Sequence, residues 1–197
     1  MSVIINASTS SGLTQTADTS GTLELQSNGT TQLTVSSTGA YGQLKSGTAV
    51  ASTSGTSIDF TSIPSWVKRV TVMFNGVSTN GSNNWLIQLG SGSVTTSGYI
   101  SSSNILDTVV TSTAYTTGIG LRANSASIVV SGLVTLTLVT SNQWIASGTC
   151  SGSTSATSTI TTGGSISLGG VLDRLRITTV GGTDTFDAGS INILYEG

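Results

Sequence analysis

The chain has 197 residues, six Lys or Arg against eight Asp or Glu for a formal net charge of −2, one cysteine and no histidine, and nearly half of it is Ser, Thr or Gly. Without histidine it lacks the commonest general acid/base and metal ligand, which argues against hydrolase, zinc and redox chemistry together. Its few scattered cations form no basic stripe that could displace counterions from phosphate, so no nucleic-acid partner is expected.

Hydrophobic residues make up 36% of the chain, enough to build a core. Thr, Val and Ile are abundant, and their branched side chains fit a pleated surface better than a helix, so the expected class is all-β. Cys150 has no partner for a disulfide and reads as a small buried side chain on a strand. Residues Met1 to Leu13 lack the basic and long apolar regions of a secretory leader. No stretch approaches the roughly 18 apolar residues of a membrane span. Synthesis in a cytoplasm and no membrane insertion are the corresponding expectations.

Along the chain, residues 1–45 are polar and punctuated, with a short apolar start at Val3, Ile4 and Ile5. Thr22 to Gln26 and Thr31 to Val35 predict a hairpin around Asn28-Gly29. A two-residue loop there sets Leu25 against Gln32 and turns the apolar faces apart. A three-residue loop, Ser27 to Gly29 with Gly29 at positive φ, pairs Leu23 with Leu33 and Glu24 with Gln32, and is the register expected. One such hairpin buries too little to stand alone, so Leu23, Leu25, Leu33 and Val35 are expected to pack on another chain, or on the rest of this one.

From Ser46 onward the apolar runs lengthen. Strands are expected over Thr56 to Thr61, over Arg69 to Phe74 with Val70, Val72 and Phe74 on one face, and at Trp85, Ile87 and Leu89. A single turn of helix capped by Ser62 is expected at Ile63 to Val67, with Trp66 lidding one end of the fold. Val134, Leu136 and Leu138 alternate most clearly, and Trp144 to Cys150, Ser158 to Thr162, Ser165 to Leu168, Leu175 to Thr179 and Ile191 to Tyr195 follow. Roughly eight to ten strands over about 150 residues, separated by glycine-rich turns, fit a β-sandwich of jelly-roll type. The expected organisation is an anchoring and oligomerisation segment, 1–45, followed by a sandwich domain, 46–197.

The segment from Gly55 to Phe74, GTSIDFTSIPSWVKRVTVMF, resembles bacteriophage virion proteins of the tail-fibre and minor structural kind. The stretches Leu172 to Thr179 and Asp184 to Asn192 resemble their C-termini, and Leu13 to Gly21 resembles short leaders on phage structural proteins. The middle of the chain, about residues 91–165, carries no such likeness. The resemblance implies a homotrimer located in the virion, in contact with other virion proteins of tail or capsid.

Several side-chain groups are candidates for function. Asn80, Asn83 and Asn84 beside Trp85 form a loop tip suited to holding a sugar ring, although a tryptophan in a sandwich is more often core or lid. Lys68, Arg69, Arg174 and Arg176 fall on two strands expected to be neighbours, either as a subunit or virion interface or as a solvated face with weak ion pairs. Asp173, Asp184 and Asp187 offer oxygens for Ca²⁺, but their spacing departs from a calcium loop, and local turn hydrogen bonds are the reading favoured for them. The carboxylates are raw material for glycoside hydrolysis, with no pair marked out.

No catalytic residue, metal site or cofactor is expected. The leading expectation is a short tail fibre binding a host surface glycan. A capsid decoration or head-fibre protein is the alternative, and a carbohydrate-binding adhesin a further one.

Overall fold

The computed structural model describes residues 23–36, 39–41, 44–107, 109–153 and 157–197. The chain divides into two compact units, Met1–Gln43 and Leu44–Gly197. The second begins two residues before the expected boundary at Ser46, because Leu44–Ser46 already pairs with the last strand.

The described part of the first unit is a three-stranded antiparallel sheet of β1 (Leu23–Ser27), β2 (Thr30–Ser36) and β3 (Gly39–Tyr41). Its turn corrects the expected register. Asn28 and Gly29 both take positive φ, 51° and 74°, and Ser27 pairs with Thr30, so the loop has two residues. Two positive-φ residues give a turn whose twist matches that of the strands it joins. An irregularity between Leu25 and Gln26 leaves Gln32 as the extra residue, and beyond it Leu25 faces Leu33 and Leu23 faces Val35. The bulge thus reunites the apolar face that a plain two-residue hairpin would have split.

The second unit is all-β among the described residues. In chain order its strands are β4 (Leu44–Ser46), β5 (Val50–Ala51), β6 (Ser57–Thr61), β7 (Arg69–Thr79), β8 (Trp85–Ser91) and β9 (Ser93–Val94). Then come β10 (Ile100–Leu106), β11 (Thr111–Tyr115), β12 (Ile119–Leu121), β13 (Val129–Thr140), β14 (Gln143–Ser153), β15 (Thr157–Ser167), β16 (Arg174–Thr179) and β17 (Phe186–Glu196). A wide, nine-stranded sheet runs β11-β10-β15-β14-β13-β7-β17-β4 with β5 also on β17, and a narrow, five-stranded sheet runs β12-β8-β16-β6 with β9 on β8.

Their order identifies the architecture. Take β4–β5, β6, β7, β8, β12, β13, β16 and β17 as first to eighth. The wide sheet then reads first-eighth-third-sixth and the narrow one second-seventh-fourth-fifth. That is the order of a jelly roll, two Greek keys folded into a sandwich. The remaining long strands are additions: β10–β11 enter between the fourth and fifth, β14–β15 between the sixth and seventh, and together they extend the wide sheet beyond β13.

The two-residue alternation of the strands fills the space between the sheets. Val70, Val72 and Phe74 of β7 and Val134 and Leu136 of β13 point inward from the wide sheet, facing Trp85, Ile87 and Leu89 of β8 and Leu175 and Ile177 of β16. Trp85 sits between Phe74 and Phe186, with ring centroids 6.1 and 5.8 Å away. Cys150 is buried on β14, and loss of solvation pushes its thiol up to about 12.

Expected strands 158–162 and 165–168 merge into the single strand β15, which runs through Gly163-Gly164. The expected helical turn is instead a hydrogen-bonded turn, Val67 N–H donating to Pro64 O at 3.1 Å, with Ser62 at φ 60° rather than capping a helix. Trp66 is partly buried against the core.

Candidate functional site

A concave surface lies on the outer face of the narrow sheet. Along β8, Trp85, Ile87 and Leu89 point into the core, so Leu86 and Gln88 must point outward. They form the floor of a cleft of about 340 Å³, completed by Arg176, Thr178 and Thr179 of β16, by Thr96 and Thr117, and by Val180, Gly181 and Gly182.

Each wall is held by the fold. Tyr99 is buried, accepts a hydrogen bond from Leu89 N at 2.7 Å and donates to Thr95 O at 3.0 Å, so the segment bearing Thr96 is tied to β8. Burial of that hydroxyl pushes its pKa up to about 12, so it stays protonated as a donor. Gln88 Nε2 donates to Thr117 O at 2.8 Å and fixes the second wall. The third is a glycine turn in which Gly181 and Gly182 have φ of 88° and 65°, and Val180 N donates to Asn84 O at 2.7 Å. The positive φ values suit glycine, and the space where side chains would begin is open.

Charge in the cleft is balanced. Arg176 Nε and Nη2 donate to the two oxygens of Asp59 on β6 at 2.7 and 2.9 Å, a forked pair across neighbouring strands. Thr178 Oγ1 donates to Thr56 O at 2.9 Å and keeps its lone pairs as acceptors. Thr179, in phase with the inward-facing Leu175 and Ile177, is buried, and its Oγ1 has no hydrogen-bond partner among the described residues.

The loop tip proposed from sequence is built differently. Trp85 is 1% exposed and packed against the rings of Phe74 and Phe186, so it cannot stack on a sugar. Asn83 N and Nδ2 donate to the Asp184 carboxylate at 2.8 and 2.6 Å, and Asn80 Oδ1 accepts from Thr185 N at 2.8 Å. Gly81 lies so close over Asp184 that an added Cβ would fall 2.1 Å from its carboxyl carbon. Asn84 is partly buried and passes its carbonyl to Val180. The asparagines fasten the β7–β8 connection to the segment before β17.

The four cations are also redistributed. Arg69 is on β7 of the wide sheet, whereas Arg174 and Arg176 are on β16 of the narrow one, so the two strands are not neighbours as expected. Arg69 pairs with Glu196, Arg174 with Asp173 at 2.7 Å, and Arg176 with Asp59. Lys68 is exposed, and its backbone N–H donates to Glu196 O at 2.8 Å.

Asp173, Asp184 and Asp187 go to separate places: Asp173 to Arg174 and Gly92 N, Asp184 to Asn83, Asp187 to Ser78. Among the described residues no three His, Cys, Asp or Glu are grouped to hold a metal ion.

In the first unit, Leu23 and Leu25 are 38% and 42% exposed and share a face with the partly buried Leu33 and Val35. The opposite face carries a polar cluster, with Thr31 Oγ1 and Gln26 Nε2 both donating to Glu24 Oε2 at 3.1 Å. Val3, Ile4 and Ile5 lie outside the described residues.

Sequence reasoning missed Gln88, Thr96, Thr117 and Thr178. One signal was available: Gln88 is the single polar residue in the run Trp85–Leu89, at a position out of phase with the inward-facing side chains.

Fold and surface together define the second unit as a jelly-roll β-sandwich with a cleft on its narrow sheet that sets a few polar groups and a paired arginine among apolar surface. Comparison with protein-family models, with curated proteins and with solved structures found no match.

Proposed function

We propose that the chain is a non-enzymatic structural protein of a bacteriophage virion, a homotrimeric short tail fibre that contacts the host surface. The observation that carries this reading is the pairing of two unlike units. One is a small sheet whose aliphatic face, Leu23, Leu25, Leu33 and Val35, is left partly open to solvent. The other is a jelly roll with its own buried core. Jelly rolls recur in viral shells and in lectins, an argument from analogy.

On this reading the first unit anchors the chain, through sister subunits and virion proteins, and the jelly roll is presented outward. The three arginine–carboxylate pairs are satisfied within the chain, and as exposed pairs they fit a solvated surface better than a charged docking face. The protein is made in the host cytoplasm and resides in the virion.

Electron microscopy of particles labelled with an antibody to the chain tests this. Label at the tail is expected. Label distributed over the capsid would move the protein to a decoration or head-fibre role, and unlabelled particles would overturn the virion reading. Removal of residues 1–43 should abolish incorporation while leaving a soluble jelly roll.

A further inference from the structure

We infer that the cleft on the outer face of the narrow sheet binds a neutral saccharide. The choice of ligand deepens the attachment reading above and rests on it; the location rests on the cleft's own chemistry.

At about 340 Å³ the cleft lies near the lower end of the roughly 300–1,000 Å³ spanned by small-ligand sites, which suits one or two sugar rings rather than a chain. Its polar groups offer donors and acceptors side by side. The forked pair with Asp59 uses two of the five N–H donors of Arg176, leaving the others for ligand oxygens. Gln88 spends its amide N–H on Thr117 O, and its carbonyl oxygen accepts nothing from the described residues. Thr178 retains acceptor capacity, and Thr96 and Thr117 stand exposed on the walls. Adjacent hydroxyls, each both donor and acceptor, are the ligand chemistry that matches such a mixture.

Charge selects further. Asp59 compensates Arg176, so an anionic sugar gains little from the guanidinium that a neutral one does not. Val180 and the bare backbone of Gly181-Gly182, beside a Leu86 that is itself buried, supply an apolar surface for the C–H face of a ring. In the Asn80–Trp85 loop, by contrast, the indole is buried and the Asn80 and Asn83 side chains are engaged by the protein itself.

The test applies the full-length chain, fluorescently labelled, to a printed array of neutral and acidic saccharides, with melting temperatures recorded for every variant. Binding to at least one neutral saccharide is expected. Thr96→Trp, which fills the cleft from an exposed position, should abolish it, and Arg176→Met should weaken it about tenfold or more. Arg174→Met removes an equivalent ion pair on the same strand outside the cleft and should leave binding unchanged. No neutral saccharide bound, acidic saccharides only, or binding indifferent to Thr96→Trp and Arg176→Met in folded variants would each overturn the inference. Virion labelling reads the attachment role separately: labelled tails with no saccharide bound refute the cleft alone, whereas cleft-dependent binding by a chain absent from virions refutes the attachment role alone.

Discussion

The two units use the same alphabet of Ser, Thr, Gly and aliphatic residues to opposite ends. In the jelly roll, alternation on two sheets produces a shared interior in which Val70, Val72, Trp85, Ile87, Leu175 and Ile177 are all essentially inaccessible. In the three-stranded sheet the same alternation produces one aliphatic face and one hydrogen-bonded polar face, and every residue of β1 remains exposed. Among the described residues this sheet has no second layer to bury against, so correct patterning there yields a surface rather than a core. The difference separates a unit with a buried interior of its own from a described sheet whose aliphatic face stays partly open.

The sharpest way to probe the self-sufficient unit is Trp85→Ala. It removes the ring between Phe74 and Phe186 and should cost about 3–5 kcal/mol, read by denaturant unfolding of the jelly roll. Next comes Asp184→Ala. Deleting the acceptor of two Asn83 hydrogen bonds in a partly buried setting should cost about 1–3 kcal/mol and free the β7–β8 connection, seen as faster amide exchange at Asn83.

In the other unit, Leu25→Ser should change the chain's own stability by no more than about 0.5 kcal/mol, as for an exposed position. It should nevertheless reduce self-association of the full chain in sedimentation experiments. A large intrinsic destabilisation without loss of association would break the comparison.

The smallest effect concerns pH. Arg174 beside Asp173, helped by Gly92 N–H, holds that carboxyl below its ordinary value. Its stabilisation is therefore complete above the ordinary carboxylate range and is lost as pH falls through the lowered value. Asp173→Asn should lower the melting temperature slightly near neutrality, and the difference should close in strong acid; the exposure of the pair keeps the effect small.

The strands that announced themselves were those whose inward positions are aliphatic, such as Val70-Val72-Phe74 and Val134-Leu136. β10 did not, because its inward positions are Ser101 and Ser103. Their hydroxyls accept from Gly120 N and Arg122 N, both at 3.0 Å, stitching β10 to β12 and the residue that follows it across the sandwich. A buried serine that bonds to the facing backbone does a valine's structural work without a valine's hydrophobic signature.

The hairpin register failed for another reason. Counting alternation assumed an unbroken ladder, and the bulge at Gln32 resets the phase. The Trp85 loop failed because proximity in sequence to three asparagines says nothing about which way an indole points. The cleft draws on β8, β16 and two distant loops, and only the jelly-roll strand order brings Gln88 beside Arg176 and Thr117.

The lone cysteine has a practical consequence. A thiol that is 2% exposed, kept protonated by its surroundings and placed mid-strand on β14 between β13 and β15, reacts with an alkylating reagent only when those strands part. Because no second thiol competes in this sequence, the rate of its modification is a built-in clock for opening of the wide sheet, one that can be read at concentrations too low for calorimetry.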